Sequence, residues 1–275
     1  MSWGRRHSIE WKTPEQIQGM RASGLVTAAA LAAVRQAVKP GARAREIDAL
    51  AETVIRDHGA APNFLGYQGY PRSICFSVGE VVVHGIPQDQ ILKDGDVVSI
   101  DCGAVLDGWH SDAAITVGVG EVHPRSEVLV EVTRRALWDG IAAFAGASRV
   151  GQIGAAIEAS VLGAEPSFGI LRDYMGHGIG SRMHMDPEVL NYATRDKGAK
   201  VRPGLVLAIE PMVVEGSIAT SEDADGWTVR TRDGQTAAHW EHTAARTEGG
   251  VWVLTAKDGG AAELAARGVA IAPAA

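Results

Sequence analysis

The chain has 275 residues, 46% of them hydrophobic, and a formal net charge of −7. This length and apolar content can fill one large core or two small ones, while the acidic balance and the lack of a basic stripe argue against nucleic acid as the main partner. Two cysteines, Cys75 and Cys102, exclude a disulfide scaffold and a thiolate zinc finger and suit a reducing cytoplasm.

In chain order, Met1 to Trp11 carries charge but no apolar run of the kind a secretory signal needs. Thr13-Pro14-Glu15-Gln16 is a capping-box start with Pro14 at the first helical position. Ile17, Met20, Leu25, Ala28, Leu31 and Val34 give that helix an apolar face, and Lys39-Pro40-Gly41 stops it. Its most apolar stretch, Val26 to Val34, is too short and Ala-rich to span a bilayer. A second helix carries Ile47, Leu50, Ala51, Val54 and Ile55 and ends near His58-Gly59. Strands are expected at about 73–78, 81–86, 97–106 and 110–118, then helices at about 125–144 and 152–163. Further strands are expected at about 173–179, 205–214, 227–232, 238–246 and 251–255. Residues 1–10 and the Ala-rich end after about 258 are expected to be flexible. No linker interrupts the chain, so 1–275 reads as one domain with its core at about 8–257.

The order helix, helix, strands occurs twice. Gly95 precedes Asp101 by six positions across an apolar run, and Gly204 precedes Glu210 by the same distance across another. His-Gly-Ile also recurs, at 84–86 and 177–179. Together these matches point to an α+β fold with a pseudo-twofold repeat and a site where the halves meet.

Five residues stand out as ligands for that site: Asp101, Asp112, His177, Glu210 and Glu241. Each lies in a short apolar or Gly-rich stretch that reads as strand, where a carboxylate is costly unless paired or bound to a cation. No matching run of Lys or Arg lies nearby. Asp101 and Asp112 flank Asp107-Gly108, a hairpin signal that folds both carboxylates toward one point. Two bare carboxylates so placed repel, and divalent cations remove the conflict. Oxygen donors with one imidazole suit cobalt, manganese, iron or zinc.

In this light the chain resembles the type I methionine aminopeptidases, metallohydrolases of the pita-bread fold, in which helices pack on a curved antiparallel sheet. The segments that carry the resemblance are Gly66-Tyr67-Gln68-Gly69-Tyr70-Pro71, Val83-His84-Gly85-Ile86-Pro87, Ile100-Asp101, Ser111-Asp112, Gly176-His177-Gly178-Ile179-Gly180, Ile209-Glu210-Pro211-Met212 and Trp240-Glu241-His242-Thr243. It implies two divalent metal ions on the five ligands, with Asp112 and Glu241 bridging, and a water activated to attack the scissile carbonyl. It implies that Glu210 also serves as general acid/base, and that His84 and His184 contact the substrate and stabilise the tetrahedral intermediate.

Resemblance further implies that Phe64, Tyr67, Tyr70, Cys75, Met183 and Trp227 line the pocket for the methionine side chain, aromatic rings being good partners for a thioether. Phe64, Met183 and Val83 depart from residues frequent in relatives, which leaves the pocket's shape open. Gly103 stands where relatives often have Thr, so a hydrogen bond behind the ligands is expected to be missing. A prolidase or aminopeptidase P typically carries a large N-terminal domain, and this chain has only a short lead. A non-enzymatic binding module on the same fold has usually lost ligands, and all five are present here. The expected activity is therefore removal of the initiator methionine from nascent polypeptide N-termini with a small second residue. A cytoplasmic monomer is expected, with no membrane or nucleic-acid motif. Ribosome association is compatible with such a substrate but has no motif of its own.

Overall fold

The computed structural model describes residues 9–275. Most of the lead expected to be flexible, residues 1–8, lies outside the described residues. The first half comprises α1 (Pro14–Ala37), α2 (Ala44–Asp57), β1 (Ala61–Pro62), β2 (Ile74–Val78), β3 (Val81–Val83), β4 (Val97–Leu106) and β5 (Trp109–Gly118). The second has α3 (Pro124–Gly146), α4 (Gly151–Leu162), β6 (Gly169–Ile170), β7 (Gly176–Gly178), β8 (Met185–Val189), β9 (Val206–Ile209), β10 (Met212–Val214), β11 (Thr220–Glu222), β12 (Val229–Thr231), β13 (Ala237–His239), β14 (Glu241–Thr247), β15 (Gly250–Val253) and α5 (Ala261–Ala265).

The capping box forms as its sequence requires: the Thr13 hydroxyl accepts from the Gln16 amide at 3.3 Å, and the Gln16 side chain accepts from the Thr13 amide at 2.9 Å. The buried face of α1 differs from the apolar pattern, because Leu25 is exposed while Ser23, Gly24 and Thr27 are buried. A side chain at Gly24 would strike the Leu254 carbonyl, and the Ser23 and Thr27 hydroxyls both bond Ser111, at 2.9 and 2.8 Å. The seam is one of close approach, invisible to a count of apolar residues. By length and composition α1 could cross a membrane; here it packs on α2, β4 and β5.

Nine strands make one sheet, in the order β1-β4-β5-β14-β9-β7-β8, with β2 added beside β4 and β15 beside β14. The β4–β5 hairpin turns on Asp107 and Gly108, both with positive φ, at 50° and 81°. Its register sets Asp101 opposite Ala114 and Gly103 opposite Asp112, so the two aspartates are diagonal neighbours on one face. Ile100, Cys102, Ala104, Ala113 and Ile115 alternate to the other face and join the main apolar core with residues of the helices.

The pseudo-repeat is visible in the strand order: β2-β4-β5 is mirrored by β7-β9-β14 across the β5–β14 junction. Gly95 and Gly204, each six residues ahead of an acid, share left-handed backbone at φ 89° and 90°. The His-Gly-Ile recurrence has no such counterpart, since His177 lies inside β7 while His84 follows β3, a strand of another sheet.

Two expected strands are each split. The run 205–214 becomes β9 and β10, and 238–246 becomes β13 and β14. Both breaks fall at the same level: Ile209 pairs with His242 in the large sheet, whereas Met212 pairs with His239 in the sheet β13-β10-β6. Pro211 has no amide to continue a ladder. The Ala-rich end expected to fray is instead tied down, with Leu264 buried, the Ala272 carbonyl accepting from the Thr247 hydroxyl and the Ala274 carbonyl from the Gln18 amide.

Candidate metal centre

The coincident breaks create the site. Glu210 follows the end of β9, and Glu241 is the first residue of β14, paired with Ala114 of β5. Asp101 and Asp112 reach the same place from β4 and β5. The Thr243 hydroxyl fixes the β5–β14 seam, accepting from the Asp112 amide at 3.0 Å and donating to the Asp112 carbonyl at 2.8 Å. The glycines beside His177 are there for contact: a side chain at Gly176 would meet the Ala208 carbonyl, and one at Gly178 the Asp186 carbonyl. The His177 Nδ1 lies 3.0 Å from the Gly178 carbonyl. Donation there leaves Nε2 as the free electron pair.

The electrostatics are those of a site missing positive charge. Asp101 Oδ1, Asp112 Oδ1 and Glu241 Oε1 are buried with no hydrogen-bond partner. No Lys or Arg among the described residues pairs with any of the four acids. Burial, reinforced by the neighbouring carboxylates, pushes Asp112 and Glu241 well above the usual carboxylate range. Burial also raises Asp101 to about 7 and Glu210 to about 8. These acids need either protons or cations. The donor set fits cations: one ligand atom each from Asp112, His177 and Glu241 lie within 4.8 Å of one another, as do atoms from Glu210, His239 and Glu241. The two groups share Glu241. Asp101 belongs to neither and stands beside them through its register with β5.

Above the acids opens a cavity of about 350 Å³. Every site residue named from the sequence lines it, and Gln68 is the one addition. Phe64, Tyr70, Cys75 and Met183 form a buried apolar cluster with Ile86, with Tyr67 and Trp227 packed against it. Tyr70 meets Trp227 edge-on at 5.1 Å and donates its hydroxyl toward the Ile74 and Gly85 carbonyls, each at 3.0 Å. Burial holds the Cys75 thiol well above its ordinary pKa, so it stays protonated.

His184 stands at the mouth, its ring 4.3 Å from that of His177 and its Nδ1 2.8 Å from the Tyr67 hydroxyl. His84 adopts left-handed backbone at φ 58°, an uncommon conformation for a non-glycine residue that turns it out of β3 and ends the strand short of the expected 86. Burial lowers its pKa to about 4, so it is neutral at pH 7.

Position 103 contains no gap. A Cβ on Gly103 would collide with Asn63, whose Nδ2 donates to the Ser111 carbonyl at 3.4 Å and whose Oδ1 lies 2.6 Å from His110 Nδ1. The space that a side chain at 103 would need is taken by the Asn63 amide. Sequence reading missed His239, which sits behind the cavity 3.5 Å from Glu210. Its one signal was position, two residues before Glu241.

Comparisons with known proteins agree with this architecture. The profile of metallopeptidase family M24 matches residues 18–248. Methionine aminopeptidase 1 of Mycobacterium tuberculosis is 49% identical over 255 residues, covering 91% of this chain and 96% of that protein. Methionine aminopeptidase 1 of Bacillus subtilis is 43% identical, with coverage of 89% and 98%. The crystal structure of methionine aminopeptidase from Thermotoga maritima superposes with a TM-score of 0.88 at 41% identity, covering 91% of this chain and 100% of that one. The chain belongs to metallopeptidase family M24 and, within it, to the methionine aminopeptidases.

Proposed function

We propose that the chain, acting as a single catalytic domain, removes the N-terminal methionine from nascent polypeptides, with preference for a small second residue. In this reading Asp101, Asp112, His177, Glu210 and Glu241 would hold two divalent cations. The observation that carries it is the meeting of four buried or half-buried carboxylates, with no Lys or Arg partner among the described residues, at the floor of a cavity walled by Phe64, Tyr70, Met183 and Trp227. When bound, the cations supply Lewis acidity and lower the pKa of water.

The chain's own residues do the rest. The aromatic and thioether wall takes an unbranched apolar side chain and excludes charged ones by desolvation. Glu210 is the group placed to take a proton from the attacking water and pass it to the leaving amine. His84, neutral through burial, and His184, held by Tyr67, are positioned to orient the substrate and donate to its carbonyl oxygen as charge develops. The preference for Gly, Ala or Ser as the second residue rests on the resemblance to the methionine aminopeptidases and on steric exclusion close to the half-enclosed acids. We place this activity in the cytoplasm, carried out by a monomer near the ribosome, where new N-termini emerge.

The test is cleavage of Met-Ala-Ser against Xaa-Pro peptides, before and after chelation and metal add-back. Cleavage of the methionyl peptide alone, lost on chelation and restored by Co, Mn, Fe or Zn, is expected. Preferential cleavage of Xaa-Pro peptides points instead to a prolidase-like activity, and full turnover after chelation removes the metal reading. A panel differing only at the second residue should rank Ala, Gly and Ser far above Lys and Phe.

A further inference from the structure

His239 ends β13, one residue before the break that starts β14. It is 2% exposed, and its Nε2 is buried without any hydrogen-bond partner. Buried ring nitrogens are normally satisfied. This one points at the acids: Nε2 lies 3.5 Å from Glu210 Oε2 and 4.0 Å from Glu241 Oε2. On the other side of Glu210, His177 Nε2 lies 3.5 Å from Oε1, so the carboxylate stands between two imidazoles.

The His239 main chain is held by two buried hydroxyls. Its amide donates to Ser99 Oγ at 3.2 Å and to Thr116 Oγ1 at 3.0 Å, and its carbonyl accepts from Thr116 Oγ1 at 2.7 Å. Ser99 and Thr116 belong to β4 and β5, the strands that carry Asp101 and Asp112. The small sheet is thus anchored to the large one at the residue whose ring faces the centre.

We propose that His239 is a sixth donor of the metal centre, its Nε2 sharing one cation with Glu210 and Glu241. This rests on the reading of the site given above and adds a second imidazole to it. The separations are long for hydrogen bonds. Donors that each sit about 2.0–2.2 Å from one cation stand at most about 4.4 Å apart, and both separations fall inside that limit. The donor atoms of Glu210, His239 and Glu241 also lie mutually within 4.8 Å. A second nitrogen donor tilts the centre toward zinc and cobalt and away from manganese, which prefers oxygen.

The experiment compares wild type with His239→Gln and His239→Ala. Zinc, cobalt and manganese binding are measured by calorimetry, and imidazole donors are counted by X-ray absorption at the zinc edge. Melting of the chelated proteins checks the fold, which the main-chain contacts to Ser99 and Thr116 should preserve. Wild type should show two imidazoles per centre and the variants one. Zinc and cobalt should bind the variants at least about tenfold more weakly, with manganese less affected. Equal affinity with equal imidazole count overturns the proposal. So does weaker binding with two imidazoles still present, which would make His239 a residue that only positions Glu210. A wild type that binds none of the three cations overturns both this proposal and the metal reading beneath it.

Discussion

Asp48 and the acids of the metal centre are buried carboxylates of the same chain, and they differ in who answers them. Asp48, in α2, accepts from the Ser73 and Ile74 amides at 2.9 and 3.1 Å, with the Arg72 guanidinium 3.9 Å away. Its partners come from the chain, and it ties α2 to the start of β2. Asp101, Asp112 and Glu241 each keep a buried oxygen with no partner. The first arrangement serves the fold. The second is incomplete until something from outside arrives, and burial alone does not tell them apart.

The sharpest way to break this contrast is to remove acids from the centre. Asp112→Ala or Glu241→Ala should abolish turnover and lower bound metal. In the chelated state either variant should melt at or above wild type, because a buried like-charge conflict is relieved. Divalent cation should then raise the melting temperature of wild type and leave the variants unmoved. A variant that keeps turnover, or that collapses without metal, places these acids with Asp48 as structural groups.

Next in size is His84→Ala. Loss of one donor positioned on the developing charge should cost about 10²–10³-fold in kcat with metal stoichiometry unchanged. Normal turnover with a lower melting temperature would make His84 a turn residue only. Asp48→Ala should do the reverse of Asp112→Ala. About 1–3 kcal/mol of stability should go as its amide donors lose their acceptor, while turnover per folded molecule and metal content hold. Denaturant melts beside activity decide this.

The smallest effect concerns a buried cation, the opposite case. Lys12 is buried with Glu10 3.9 Å away, and burial lowers its pKa from 10.5 to about 8. The unfolded chain therefore binds the extra proton between about pH 8 and 10.5, so wild-type stability should rise through that window relative to Lys12→Met. A difference that stays flat with pH would show that Glu10 fully answers the charge.

Much of the site was legible because its chemistry conflicts with its surroundings: Asp101 and Glu210 stand out at the ends of apolar runs. The capping box and the Asp107-Gly108 turn were legible because both are local. The splits at Glu210-Pro211 and Trp240-Glu241 were not, since each run is continuously strand-like and only the partner sheets decide where it breaks. His239 was missed for the same reason: beside Ala237 and Ala238 it looks like any strand residue, and its meaning comes from Glu210, twenty-nine positions earlier. Asn63 filling the space at Gly103 is likewise a fact of two distant segments.

The two-residue loop at Asp107 and Gly108 controls something that residue identity does not encode. Side chains alternate along β5, so Asp112 and Ala114 share a face while Ala113 and Ile115 enter the apolar core. One added residue in that loop, absorbed by sliding the ladder, would exchange the faces. Ser111 would take the place of Asp112 at the pocket and the carboxylate would enter the core, a substitution of function made without substituting any amino acid. Insertions are readily accommodated in most surface loops. Here loop length itself carries information about the site.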